Sequence, residues 1–168
     1  VAMKTKLSEF DVYQRLILFL TENGWRIICA SPPAGTNSRY RKCLLPRRDL
    51  EGSEKGPRDE VDLAAHDNEV ILLAECKPRL SDSVRHYGRS SESDYAKLKR
   101  IASSFSPSQL SQLFHRAIGI TIRENPLIAI VLAVGLVDYT IPFDITVMEF
   151  RLEKPRIWPV EPLLNKFI

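Results

Sequence analysis

The sequence predicts an α/β domain built on a mixed β-sheet flanked by helices, and three observations carry that prediction. The segment "PLIAIVLAVGLV" is rich in β-branched residues and lacks period-2 alternation, as expected of a central strand covered on both faces. Two further strand-like runs, Glu60 to Ala65 and Val70 to Lys77, flank the tight-turn sequence His66-Asp67-Asn68-Glu69. Helical periodicity precedes and follows this hairpin, so helices and strands are interleaved along the chain.

In chain order, Ser8-x-x-Asp11 has the spacing of a capping box, and Phe10, Tyr13, Ile17 and Leu20 recur at helical intervals up to a stop at Gly24. "WRIICA", Trp25 to Ala30, reads as a strand ended by Ser31-Pro32-Pro33. Residues 31–57 hold four prolines and three glycines and read as a long loop with a short strand near Cys43 to Leu45. After the hairpin, "SDSVRHYGRSSES" reads as a polar loop. A helix is expected over Glu92 to Ser104, and another after Ser106, where Gln109 completes a capping box and Pro107 suits the first turn. Ile145 to Leu152 forms a further strand, and the Pro-rich tail from Pro155 is expected along the surface.

At 168 residues the chain reads as one domain, long enough to bury a core without disulfide staples. Cys29, Cys43 and Cys76 are odd in number and show no zinc spacing, which argues against structural zinc and for a reducing compartment. The N-terminus has no apolar signal core. The longest apolar run, the 11 residues Leu127 to Val137, is too short to span a bilayer. A cytoplasmic protein that does not enter membranes is expected.

The net charge of +3 conceals unevenness. Residues 31–57 carry six Lys/Arg against three Asp/Glu, and residues 77–100 carry seven against three, which leaves the remainder at −4. Such segments suit a polyanion, although solvated surface segments give the same count. The candidate phosphate contacts are Arg39, Tyr40, Arg41, Lys42, Arg47 and Arg48 in the first segment and Lys97, Lys99 and Arg100 in the second.

The chemistry is concentrated at the end of the second hairpin strand, where Glu75-Cys76-Lys77 closes the apolar run "VILLA". Residues two apart in a strand share a face, so Glu75 and Lys77 project together and Cys76 projects oppositely. Pairing through the turn brings Asp62 near Glu75. Two carboxylates and an ammonium group at one end of a sheet are the parts needed to hold a hard divalent cation and hydrolyse a phosphodiester. The alternative is a surface ion pair at the end of an edge strand. His66, His86 and His115 are isolated, and no P-loop, GxGxxG or GxSxG motif occurs.

The arrangement Asp62…Glu75-Cys76-Lys77 resembles the signature of the PD-(D/E)XK nuclease superfamily, with Val61 in place of the proline of the motif's name. The order of first helix, hairpin bearing the motif, helix and strand is also similar, from Ser8 to about Leu152. The resemblance implies a restriction-endonuclease-like fold and a DNA endonuclease of restriction, repair or junction-resolving type. It implies Mg²⁺ or Mn²⁺ held by Asp62 and Glu75 with the backbone carbonyl of Cys76, and Lys77 as the catalytic lysine. Many members add an acid from the first helix, here Glu9, and Glu60 is a further candidate ligand. For Glu9 itself, the helix dipole alone accounts for an acid in a first helical turn, and that reading is preferred. The implied partner is DNA, with a homodimer if both strands are cut. A DNA-binding module without catalysis and an unrelated α/β protein are the alternatives.

Overall fold

A computed structural model describes residues 6–33, 39–47, 58–85 and 92–167. The chain is mixed α/β, with helices on both faces of a six-stranded sheet. Helix α1 (Glu9–Glu22) begins at the expected capping box: the Ser8 hydroxyl accepts from the Asp11 N–H at 3.1 Å, and the Asp11 carboxylate accepts from the Ser8 N–H at 3.0 Å. Gly24 follows with φ +83°, a conformation that side-chain-bearing residues rarely adopt. Strand β1 (Arg26–Ala30) comes next, then β2 (Cys43–Pro46) and β3 (Arg58–Val61), which form a separate two-stranded ribbon.

The motif hairpin is β4 (Leu63–His66) and β5 (Val70–Arg79). Its turn is built as its residues suggest. Asp67 accepts from the N–H groups of Glu69 and Val70, and Asn68 takes φ +79°. Two short features then depart from the sequence-based expectation. The chain folds into a short helix α2 (Leu80–Val84) before α3 (Asp94–Ser104), and the Pro-rich tail contributes an edge strand, β8 (Arg156–Trp158). Helix α4 (Pro107–Ile118) has the expected capping box and ends at Gly119, φ +77°. Strands β6 (Leu127–Leu136) and β7 (Thr146–Glu149) complete the set.

The sheet order is β1-β4-β5-β6-β7-β8. The first three strands are antiparallel, β5, β6 and β7 are parallel, and β8 returns antiparallel. Alternation along β5 divides the core in two. Leu72, Ala74 and Cys76 face α1, whereas Ile71 and Leu73 face α3 and α4. The tail does not merely lie along the surface. Leu163 is fully buried, and Phe167 stacks on Trp25 at 5.8 Å between ring centroids. The reason is that α1 leaves part of its apolar stripe uncovered until the tail returns.

A second correction concerns the cysteines. Cys29 and Cys43 are joined by a disulfide, leaving Cys76 as the buried free thiol. The excursion after β1 returns so that the Ala30 N–H donates to the Arg41 carbonyl at 2.9 Å, and the Cys43 N–H donates to Ser31 Oγ at 3.0 Å. That return sets the two cysteines face to face, a long-range proximity that cysteine spacing does not reveal. It also removes the argument for a reducing compartment. Among the described residues no helix is long and apolar enough to cross a membrane.

Gly135 locks the end of β5 against β6. A Cβ there would lie 2.8 Å from the Pro78 carbonyl oxygen and 3.0 Å from Leu7 Cβ, and a backbone oxygen has little freedom to yield. Gly135→Ala is therefore expected to destabilise the protein by about 1–3 kcal/mol, typical of overpacking, and thermal denaturation reads this as a lower Tm. An unchanged Tm would mean that the two strands separate freely at this point.

Candidate functional site

The site begins with strand register. Leu63 pairs with Ala74 across the hairpin, and both side chains face α1. One residue further, Asp62 and Glu75 therefore fall opposite each other on the other face, towards α3. Asp62 is not within a continuous strand, as the sequence suggested. It occupies the break between β3 and β4, where the chain leaves the six-stranded sheet to pair with β2, and its carbonyl accepts from the Ser31 N–H at 2.9 Å. The break frees its side chain to fold onto β5, where Oδ2 accepts from the Cys76 N–H at 2.7 Å.

Glu75 is only 3% exposed and lies in β5 between β4 and β6, so the surface ion pair on an edge strand is excluded. Burial raises the Glu75 carboxyl well above its ordinary range, and the charge of Asp62 and a hydrogen bond with it raise it further. The Asp62 carboxyl is thus a close neighbour of Glu75, held by the Cys76 N–H on one side, while lysines approach Glu75 from the other.

Those lysines come from two directions. Lys77 Nζ donates to Glu9 Oε1 at 3.1 Å and lies 3.8 Å from Asp94 Oδ2. Lys97 Nζ forms an ion pair with Glu75 Oε1 and donates to the Glu60 carbonyl oxygen. Burial opposes the charge on Lys77, yet the charges of Asp94 and Glu9 and the Glu9 hydrogen bond hold its pKa above the usual lysine value. The same balance, with Glu75 as main counter-ion, raises that of Lys97. Both amines are cations at neutral pH.

Asp94 completes the cluster. It is the first residue of α3, and the Ser93 hydroxyl that starts the helix accepts from the Ala96 N–H at 3.1 Å. Burial pushes the Asp94 carboxyl up to about 6, against the pull of Lys77 and Lys97. Its Oδ2 is buried without a hydrogen-bond partner among the described groups. Sequence reasoning passed over Asp94, which lies outside the Asp62…Glu75-Cys76-Lys77 motif and near the start of a helix expected from Glu92. The available signal was Asp94 and Lys97 at i, i+3 spacing, which places both on one helix face.

The other expected residues separate into groups. Glu9 does reach the site, through Lys77. Glu60 contributes its carbonyl to Lys97, and its side chain is exposed. The Cys76 thiol points into the core facing α1, and burial, with the charges of Asp62 and Glu75, raises its pKa well above that of a free thiol, so it is chemically quiet. Lys97, Lys99 and Arg100 do not form a single solvated row. Lys97 lies within the site, Lys99 pairs with Asp144 at 2.5 Å, and Arg100 grips Asp59 through two hydrogen bonds of 2.8 and 2.9 Å and also pairs with Glu92.

Arg39, Arg41 and Lys42 are exposed, Tyr40 and Arg47 are half-buried, and Arg48 lies outside the described residues, as does His86. The Arg39–Lys42 segment runs beside the site, because the Ala30 N–H bonds the Arg41 carbonyl while the next residue, Ser31, bonds the Asp62 carbonyl. His66 is buried with Nδ1 accepting from the Asn68 N–H at 3.2 Å, and His115 is exposed on α4. Neither histidine contacts the cluster.

The donor set suits a hard cation. Asp62 and Glu75 supply carboxyl oxygens close together, and Asp94 adds an oxygen that has Lys77 at 3.8 Å but no hydrogen-bond partner among the described groups. Among the described residues no three His, Cys, Asp or Glu side chains are gathered closely enough to hold a metal by themselves. A cation here would draw its remaining ligands from water, backbone and substrate, as Mg²⁺ commonly does.

No protein-family model matches the chain, and neither a curated protein nor a solved structure matches it. The site must therefore be tested on its own residues. Asp94 has a folded-state pKa of about 6, above its unfolded value near 4. The folded chain binds that proton more tightly, so the resulting stability is fully present below about pH 4 and is lost as pH rises through about 6. Asp94→Asn should flatten the stability profile over this window, by about 1.4 kcal/mol for each unit of pKa difference removed, as read by urea denaturation at closely spaced pH values. A profile unchanged by the substitution would place the Asp94 carboxyl in an ordinary solvated setting.

Proposed function

We propose that this protein is a divalent-metal-dependent endonuclease that hydrolyses DNA phosphodiester bonds, on a restriction-endonuclease-like fold. The observation that carries this reading is the convergence of Asp62, folded onto β5 where it accepts from the Cys76 N–H, with buried Glu75, and Lys77 two residues along the same strand face. A structural role gives no reason to bury Glu75 at the end of a central strand with a half-buried second acid beside it. The element order supports the same reading: α1, the antiparallel strands β1, β4 and β5, helices, then β6 parallel to β5. This is the order that the PD-(D/E)XK resemblance implies.

On this reading Asp62 and Glu75, with the Cys76 carbonyl, hold Mg²⁺ or Mn²⁺. When bound, the ion supplies Lewis-acid polarisation of a phosphoryl oxygen and lowers the pKa of a water molecule. The residues around it do the rest. Lys77 keeps its proton on Nζ, since Asp94 and Glu9 favour its charged form. It therefore stabilises negative charge developing on the phosphate and does not act as a base. Glu9 and Asp94 position that ammonium from two sides. One ester P–O bond breaks as a water oxygen bonds to phosphorus, leaving a phosphomonoester and a free hydroxyl. The exposed Arg39, Arg41 and Lys42 beside Asp62 hold the phosphate backbone leading into the site. A second copy of the chain would be needed for cutting both strands at once.

The test is a cleavage assay on supercoiled plasmid, linear duplex and four-way junction DNA, with Mg²⁺ or with chelator. Cleavage is expected only with the metal. Lys77→Ala should slow it at least about a hundredfold, the scale of losing one charge-stabilising donor. Asp62→Asn should abolish it. DNA binding without cleavage of any substrate would favour a non-catalytic binding module, and cleavage undiminished in Lys77→Ala would remove that residue from the mechanism.

A further inference from the structure

The position of Lys97 goes beyond the motif. It comes from α3, not from the strands that carry Asp62, Glu75 and Lys77. Its ammonium is mostly enclosed, with its side chain 21% exposed, and sits on the buried Glu75 oxygen while also donating to the Glu60 carbonyl. One anionic oxygen and one neutral oxygen converge on a single positive charge, which is the environment a hard cation would seek at the same place. We propose that Lys97 is a built-in competitor of the divalent ion: its ammonium occupies the Glu75 carboxylate when no metal is bound and must leave it for the metal to enter.

Three observations support this. First, the Glu75 side chain is 4% exposed and its Oε1 is taken by the Lys97 ammonium, so an ion approaching that oxygen meets Lys97 in place. Second, the companion lysine is differently disposed. Lys77 is held by Glu9 and Asp94, away from the Glu75 oxygen that Lys97 takes, so the two ammonium groups are not interchangeable. Third, Lys97 has a second anchor in the Glu60 carbonyl, on β3. Releasing Glu75 leaves the amine tethered at the rim of the site, where its charge remains available to a phosphate.

This inference rests on the metal-binding reading of Asp62 and Glu75, and the experiment separates the two. Mn²⁺ binding to the DNA-free protein is measured by titration calorimetry and by the loss of the free-ion electron paramagnetic resonance signal, for wild type, Lys97→Met, Glu75→Gln and the double variant. Methionine keeps the length and apolar stem and removes the charge. Thermal denaturation with and without Mn²⁺ accompanies each titration and shows that each variant is folded. Lys97→Met is expected to bind Mn²⁺ roughly fivefold more tightly or better, equivalent to removing a competing contact of about 1 kcal/mol. Its Tm should fall without metal and recover with it by more than wild type gains. Glu75→Gln should abolish binding in both backgrounds. Equal or weaker binding by Lys97→Met, with Glu75-dependent binding retained in wild type, would overturn the role of Lys97 and leave the metal site intact. Absence of Glu75-dependent binding in wild type and Lys97→Met alike would overturn both.

Discussion

A carboxylate buried at the end of a central strand governs the rest of this structure. Moving an isolated ionised carboxylate out of water is costly, and in most folds the group either neutralises or is excluded. Glu75 is 3% exposed and has a second carboxyl, Asp62, as a close neighbour, so burial and repulsion act together to disfavour its charge. Everything placed around it answers that constraint. The Cys76 N–H satisfies one Asp62 oxygen, Lys97 neutralises Glu75 from α3, and Lys77 adds a second positive charge held by Glu9 and Asp94. The elements supplying these groups, α1, β3, the β4–β5 hairpin and α3, are far apart in sequence, so the site exists only when the whole domain is folded.

The sheet makes this convergence possible. Parallel pairing of β5 with β6 runs past Glu75, while antiparallel pairing with β4 ends at Ala74, where Asp62 folds onto β5 instead, and Glu75 is left 3% exposed. Gly135 permits the close approach that fixes the β5 end. On the opposite face, α1 and the returning tail seal the core behind Cys76, and the Cys29–Cys43 disulfide ties β1 to β2, the partner of the β3 strand that runs into Asp62. The basic segment Arg39–Lys42 is tied by the same return to Ala30, and the N–H of the next residue, Ser31, donates to the Asp62 carbonyl.

What the sequence disclosed was local. The Ser8 and Ser106 capping boxes, the Asp67-Asn68 turn and the uniformly apolar β6 each state their structure within a few residues, because caps, turns and strand coverage are decided by neighbours. The pairing of Asp62 with Glu75 was legible for the same reason, since a tight turn fixes hairpin register. Contacts set by tertiary packing were not. Asp94 looked like an ordinary first-turn acid, Lys97 looked like one cation among three, and the β8 edge strand and the buried Leu163 were hidden in a Pro-rich tail. The break of strand at Asp62 was also invisible, since it depends on β3 changing partner to β2.

The most direct measurement is the position of the metal itself. Crystals grown with a short DNA duplex and Mn²⁺ under conditions that slow hydrolysis would be measured at the manganese absorption edge. An anomalous peak bridging the carboxylates of Asp62 and Glu75, within about 2.0–2.6 Å of an oxygen of each and beside a phosphate, is the expected result. A peak held by other residues, or none at these carboxylates while DNA is bound, would contradict the assignment of Asp62 and Glu75 as the metal-binding centre.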